Sequence, residues 1–482
     1  MSGSRTRSSR IAATLASGQV KFRVAAGFVV LVFLLGGGSR YDIASLALLR
    51  PLAFGFALYA LMVLREGELG AVRTPLGLLL VLAGWLAVQL IPLPPSVWQQ
   101  LPDRALFAEI YAAAGLGPVW LPLTMSPSRT LNSLLSLSVP LAALLLFAVQ
   151  EPARRTKLLP VVWVMVLASA ALGIAQMTGA ANGPLYFYQI TTNGLPVGLF
   201  ANRNHQALLL CLGVLLSGHL VAAAYARADK LRGQVTAPTG AAAAAVLVLA
   251  PLLLVTGSRA GLLIAAAMIP ATGCLIYLSQ PVRRKQARGW GKAWAFAGLL
   301  AALLGAFILQ TRVLAIDRLL ATGGEFELRA AVWPTLAQMA ETHWLLGTGF
   351  GSFELAFKQV EPLELLRTAY LNQAHNDWVQ WVIEGGLPAL VILLIFAAWL
   401  TRRLVLLAPT IRGGKRPELL LSALTILACA GASLVDYPLR VPSLMLVFAL
   451  ACAFISSAPD HRRQPKPTAT REPAFTAAIQ GI

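Results

Sequence analysis

Charge is scarce in this sequence. Lys, Arg, Asp and Glu make up 12% of its 482 residues, about half the ~25% usual in soluble domains. Acid is the scarcer sign, with 20 Asp and Glu against 39 Lys and Arg. Cysteine is scarce too. Cys211, Cys274, Cys429 and Cys452 show no C-x-x-C or Cys/His spacing, which removes zinc-finger and dithiol redox readings. All four sit in apolar runs, where a thiol serves as a small packing group. There is no Walker loop, GxSxG elbow, HExxH pair or DxD pair. ATP-driven, serine-hydrolase, metalloprotease and metal-held nucleotide-sugar chemistry have no footing here.

Apolar length is what the chain has in quantity. Hydrophobic residues reach 57%, and runs long enough to cross a bilayer as helices recur throughout. Such runs satisfy their own backbone in lipid only as helices. The expected fold is therefore all-α, a polytopic membrane protein with about twelve spans. These are read at 24–38, 43–64, 75–92, 131–149, 158–177, 205–226, 240–256, 259–279, 293–311, 376–400, 418–436 and 441–458. Residues 1–23 and 459–482 read as polar cytoplasmic tails flanking one membrane domain, 24–458. The first apolar run has a basic lead-in but no small-residue cleavage site after it, so it reads as a retained anchor.

The formal charge of +19 invites a nucleic-acid partner, but its placement argues otherwise. With both termini inside, "EPARRTK", "RRKQARGWGK" and "RRLVLLAPTIRGGKR" fall in inside loops. That bias sets membrane topology, and these loops would meet anionic lipid heads.

The outside loops carry the chemistry. The loop near 92–130 is rich in Pro and Trp and reads as a cap, or as one wall of a groove. Arg203 opens one span and Arg259 opens another, just after Ser258, a good N-cap. A cation at a helix start opposes the helix dipole, whereas an anion bound there is held by both the dipole and the guanidinium. Two such arginines point to a phosphate or pyrophosphate. The large loop 312–375 holds an amphipathic helix of about a dozen residues, with Leu328, Val332 and Leu336 on one face and Arg329 on a neighbouring stripe. Its "GTGFG" lacks the GK[ST] of a phosphate loop and reads as a turn. His375, Asn376 and Asp377 stand where the loop re-enters the membrane. A neutral imidazole there is a competent base, with Asn376 or Asp377 to orient it. Arg440 is either a third anion contact or the partner of Asp436. These residues fit group transfer from a lipid-linked diphosphate, with a membrane groove for the polyprenyl tail. No metal or cofactor site is visible.

"GLFANRNHQA", "TGSRAGLL", "LRAAVWP…LLGTGFGSF" and "HNDWVQWVIEGGLP" follow one another in that order. On these motifs the chain resembles the bacterial O-antigen ligases and the related O-antigen or exopolysaccharide polymerases over about residues 160–455. The resemblance implies a GT-C-like helical fold and a metal-independent glycosyltransferase in lipopolysaccharide or exopolysaccharide assembly. It also implies an undecaprenyl-diphosphate-linked glycan donor, used at the periplasmic face of the inner membrane. Residue by residue, His375 matches the family's base, and Arg203 and Arg259 match its diphosphate-binding arginines. The acceptor would be lipid A core for a ligase or lipid-linked glycan for a polymerase. Gly386 matches the family's glycine beyond the HN pair and Ala389 departs from its pattern, so polymerase stands beside ligase. Two other readings remain, a non-catalytic assembly scaffold and a transporter or flippase. The latter needs ionisable groups at mid-bilayer depth, and the groups read here gather at one face.

Overall fold

In a computed structural model of the chain, residues 13–228, 237–280, 323–366, 370–414 and 416–459 are described. Apolar helices account for most of them: α1 (Gly18–Leu35), α2 (Ala44–Met62), α3 (Arg73–Gln89), α4 (Ala105–Ala113), α5 (Pro127–Ser136), α6 (Ser138–Ala148), α7 (Leu158–Thr178), α8 (Arg203–Ala228), α9 (Ala237–Val255), α10 (Arg259–Leu278), α11 (Gly323–His343), α12 (Phe353–Val360), α13 (Asp377–Arg412), α14 (Pro417–Ala432) and α15 (Pro442–Ser457). Among the described residues, eight helical stretches are long and apolar enough to cross a bilayer, and three shorter apolar helices, including α14 and α15, accompany them. Together these match eleven of the expected spans. The expected span at 293–311 lies outside the described residues.

Helix starts follow local chemistry. Ser17 accepts from Val20 N and Ser258 from Gly261 N, capping α1 and α10. Proline opens α5, α14 and α15, where its missing N–H costs nothing. The core lies among α1, α2, α6, α7, α8, α14 and α15, with Phe33, Phe147, Leu208 and Leu444 fully buried. Cys211 and Cys429 pack there, Cys452 is buried in a separate cluster with Leu407 and Leu419, and Cys274 is exposed on α10.

Contacts between chain segments sort the helix ends into two groups. At one end, Ala201 N donates to Gly37 O at 3.1 Å, Ser443 N to Gly36 O at 3.0 Å and Asp377 N to Ser433 O at 2.9 Å. These bonds gather the end of α1 and α14 with the starts of α8, α13 and α15. At the other end, Gln150 donates to Lys21 O at 3.0 Å and Arg403 to Ala458 O at 2.6 Å. The first group is termed the site end.

Sequence reading placed a continuous helix at 376–400. The structure breaks it at Gly386, whose φ of 60° and ψ of −157° lie outside helical space. Glycine alone enters that region readily. The freed carbonyls are all taken up. Glu384 O accepts from Gly349 N at 2.9 Å and Gln89 Nε2 at 3.0 Å, Ile383 O from Thr348 N at 2.9 Å, and Gly385 O from Trp85 Nε1 at 2.8 Å. Broken helix within a membrane persists only where protein satisfies it. The "GTGFG" turn supplies that, with Gly349 at φ 101° packed against Thr124, so it is a structural turn as read. Ala389, fully buried, shares this junction with Phe350 and Leu86. The helix before it, α11, runs longer than expected and buries Val332 and Leu336 on one face.

A loop caps the site end. Pro92–Leu93 (β1) pairs antiparallel with Leu121–Pro122 (β2), and buried Trp98 donates to Val119 O at 2.9 Å. His343 at the end of α11 meets Asp103 at 2.9 Å. Arg104 is buried and donates to Leu123 O. Burial lowers its pKa to about 10.

Candidate functional site

The site is built around Asp436, in the turn between α14 and α15. This carboxylate is almost fully buried. Its Oδ1 lies 3.3 Å from His375 Nδ1 and accepts from Tyr437 N at 3.0 Å. Its Oδ2 accepts from Asn204 Nδ2 at 2.8 Å and sits 3.9 Å from His205 Nε2. Burial pushes the Asp436 pKa up. The hydrogen bond from His375, the fields of His205 and His375, and the Asn204 amide outweigh it and hold the carboxyl well below its usual range. The Tyr437 ring packs against both imidazoles, with centroids 5.1 Å from His375 and 5.2 Å from His205.

Asn204 carries the linkage onward. Its Oδ1 accepts from Ser258 Oγ at 2.8 Å, and Ser258 Oγ accepts from Gly261 N at 3.0 Å. The starts of α8, α10 and α13 are thereby tied to one carboxylate. Arg203 immediately precedes Asn204, and Arg259 immediately follows Ser258. The Arg203 guanidinium lies beside the Gly257 turn, 3.7 Å from where a Cβ there would stand. Both arginines are part-exposed. The structure thus brings His375, Arg203, Arg259 and Asp436 to one corner of the site end.

The supporting residues divide differently from the sequence reading. Neither Asn376 nor Asp377 is the residue that holds the His375 ring through Nδ1. Asn376 Oδ1 caps α13, accepting from Trp378 N at 3.1 Å and Val379 N at 3.2 Å. Asp377 accepts from Arg440 Nε at 2.9 Å. Arg440 does not pair with Asp436, because its short 3-10 turn directs it toward α13, where Nη2 also reaches Glu384 at 3.0 Å. The fields of Glu384 and Asp377 outweigh its burial and raise its pKa. Glu384 is fully buried and also accepts from Gln380 Nε2 at 3.1 Å and Phe353 N at 3.2 Å. The Arg329 side chain lies outside the described residues. His375 itself has φ 50°, a left-handed conformation uncommon for a non-glycine residue and frequent where function fixes geometry.

Sequence reasoning did not single out Asn204, His205 or Gln380. Asn204 had one available signal, its place beside an arginine at a helix start. Among the described residues, no group of three His, Cys, Asp or Glu side chains forms a metal-holding set.

Beside this corner lies a cavity of about 450 Å³. Asn372, Gln373, Asp377 and Arg440 are in its wall, flanking His375 and Asp436 in sequence, whereas Arg203 and Arg259 are not. Arg40, Arg50 and Arg129 add positive charge, and Leu82, Leu144, Ile392, Phe396 and Phe448 make the rest apolar. The cavity is thus part cationic and part apolar. Arg129, at the end of the Pro- and Trp-rich loop, is one of its walls. Arg50 corrects the picture of ionisable groups confined to the outer face, because it lies inside the span α2.

One family model matches part of the chain. The family described as O-antigen ligase matches residues 244–394. That stretch carries Arg259, His375 and the break at Gly386. Arg203, Asp436 and Arg440 lie beyond it, and the fold brings them to it. No curated protein matches the chain.

Proposed function

We propose, from the premise that residues 244–394 are an O-antigen ligase domain, that this membrane protein is a glycosyltransferase. In this reading it moves a glycan from undecaprenyl diphosphate to a sugar hydroxyl at the periplasmic face of the inner membrane. The observation that carries this reading is the linkage His375–Asp436–Asn204–Ser258, whose members Asn204 and Ser258 adjoin Arg203 and Arg259 in sequence.

The chemistry follows from that linkage. With Nδ1–H donating to Asp436, His375 presents Nε2 as the base. The acceptor hydroxyl gives its proton to Nε2 as its oxygen bonds to the anomeric carbon of the donor sugar. The bond from that carbon to the phosphate oxygen breaks, and its electron pair leaves with undecaprenyl diphosphate. Arg203 and Arg259, aided by the α8 and α10 dipoles, stabilise the charge that builds on the leaving group. Asp436, held ionised, stabilises the imidazolium as it forms. The proton then returns to solvent or product. No step requires a metal or cofactor.

Orientation draws support from charge. The end opposite the site carries Arg23, Arg154, Arg155, Lys157, Arg402 and Arg412, as expected of a cytoplasmic side. Ligase and polymerase share this chemistry and differ in acceptor. Gene deletion followed by glycan analysis separates them. Uncapped lipid A core with accumulating lipid-linked polymer means ligase, and single repeats in place of long chains mean polymerase. Unchanged glycan overturns the proposal.

A further inference from the structure

Arg50 is a charged group that the mechanism above leaves unused. It sits six residues inside α2, about 9 Å below the helix start at 1.5 Å per residue, roughly a third of the way through a ~30 Å hydrocarbon core. Its side chain is half-buried and lines the cavity. The other three arginines in that wall have carboxylate partners. Arg40 pairs with Asp42 at 2.8 Å, Arg129 pairs with Glu354, and Arg440 pairs with Asp377 and Glu384. The Arg50 guanidinium makes no hydrogen bond or ion pair with any described residue.

An arginine inside a span is costly and ordinarily faces a partner or a functional cavity. Here the cavity supplies the setting without the counter-ion. Four arginines and only two carboxylates, Glu354 and Asp377, line it. One of those two, Glu354, is already shared with Lys358 at 2.7 Å. Below the cations the wall is hydrocarbon. A compact anion joined to long apolar chains complements both parts.

We propose that Arg50 anchors a phosphate-binding subsite for a second lipid, the acceptor, distinct from the donor site at Arg203 and Arg259. The lipid's phosphate lies against Arg50, with Arg40 and Arg129 above it, and its chains lie along Leu82, Leu144 and Phe396. The word acceptor rests on the transferase reading; the lipid site itself does not. Because Gln373, Asp377 and Arg440 belong to both the cavity wall and the surroundings of His375, a headgroup held there projects its sugar toward the imidazole.

The test is native mass spectrometry of the purified full-length protein in mild detergent. Phosphatidate, diacylglycerol with the same chains, and inorganic phosphate serve as probes. Phosphatidate is expected to bind at least tenfold more tightly than diacylglycerol. Arg50→Gln is expected to remove most of that preference and Arg50→Lys to restore part of it, while Arg203→Ala leaves it intact. Arg50→Gln removes an unpaired charge, so a monodisperse protein is expected and size-exclusion chromatography verifies it. Wild-type phosphatidate binding by Arg50→Gln overturns the subsite. Displacement of phosphatidate by equimolar inorganic phosphate shows a free-anion site and overturns the lipid assignment. Undecaprenyl phosphate binding that falls with Arg50→Gln but not with Arg203→Ala assigns the cavity to the donor and also overturns it. Persisting glycan transfer in His375→Ala would sink the transferase mechanism alone, leaving a lipid site defined by Arg50 in place.

Discussion

His375 and Asp436 are 61 residues apart in sequence, and Nδ1 of one lies 3.3 Å from Oδ1 of the other. This pairing joins the start of α13 to the turn before α15. It engages Nδ1 of the ring, which leaves Nε2 to act as the base in the proposed mechanism.

Asp436→Asn keeps the shape of that contact and removes its charge. We expect glycan transfer to fall about a hundredfold or more, the scale of losing general-base assistance, with normal protein levels in the membrane. Purified enzyme assayed with saturating donor measures it. A rate within a few-fold of wild type would show that the carboxylate does not serve the imidazole.

The same residue sets a pH dependence. Its folded pKa is depressed, so the stability it contributes is present above the unfolded value of about 3.9 and is lost only as pH falls through the lower folded value. Thermal unfolding of wild type and Asp436→Asn, followed from pH 7 down to pH 5, should show the wild-type advantage persisting without closing. A gap that closes above pH 5 would contradict the assigned direction.

How much of this was legible depended on distance in sequence. Apolar runs announced the helices because bilayer thickness sets their length. Arg203 and Arg259 stood out because a cation at a helix start opposes the dipole. Asp436 could be named but not assigned, since its partners come from two other segments, His375 before α13 and Asn204 and His205 at the start of α8. Arg440 was given a wrong alternative partner for the same reason. The break at Gly386 was written as Gly-Gly-Leu-Pro, yet hydropathy runs straight through it. Arg50 was hidden inside an apolar run, and one arginine in a span is the signal that pattern-reading passed over.

Gly386→Ala tests the break in α13. A Cβ at that position would stand 2.7 Å from Gly347 N and Leu345 O, in a backbone region closed to alanine. We expect a loss of about 1–3 kcal/mol or more, seen as a lower unfolding temperature and faster proteolysis within α12 and its flanks. Wild-type stability would mean that the turn at 347–351 does not depend on the break.

Arg440→Ala leaves Glu384 buried without its cation. Breaking one side of such a pair costs about 3–5 kcal/mol, so folded protein should be scarce. Adding Glu384→Gln should recover much of it. Recovery of transfer along with folding would show that Arg440 is structural. Recovery of folding alone would give it a role in the reaction.

Arg203→Ala and Arg259→Ala should each reduce transfer about 10²–10³-fold, the scale of losing one preorganised charge-stabilising donor. The double variant should lose less than the product of the two, because both act on one leaving group. Full multiplicativity would place them on separate groups.

The most direct measurement is the single-turnover rate of glycan release from undecaprenyl diphosphate by purified His375→Ala, with donor binding recorded in the same preparation. Wild-type donor binding, with release slowed by about a hundredfold or more, is the expected result. Release at the wild-type rate would contradict it.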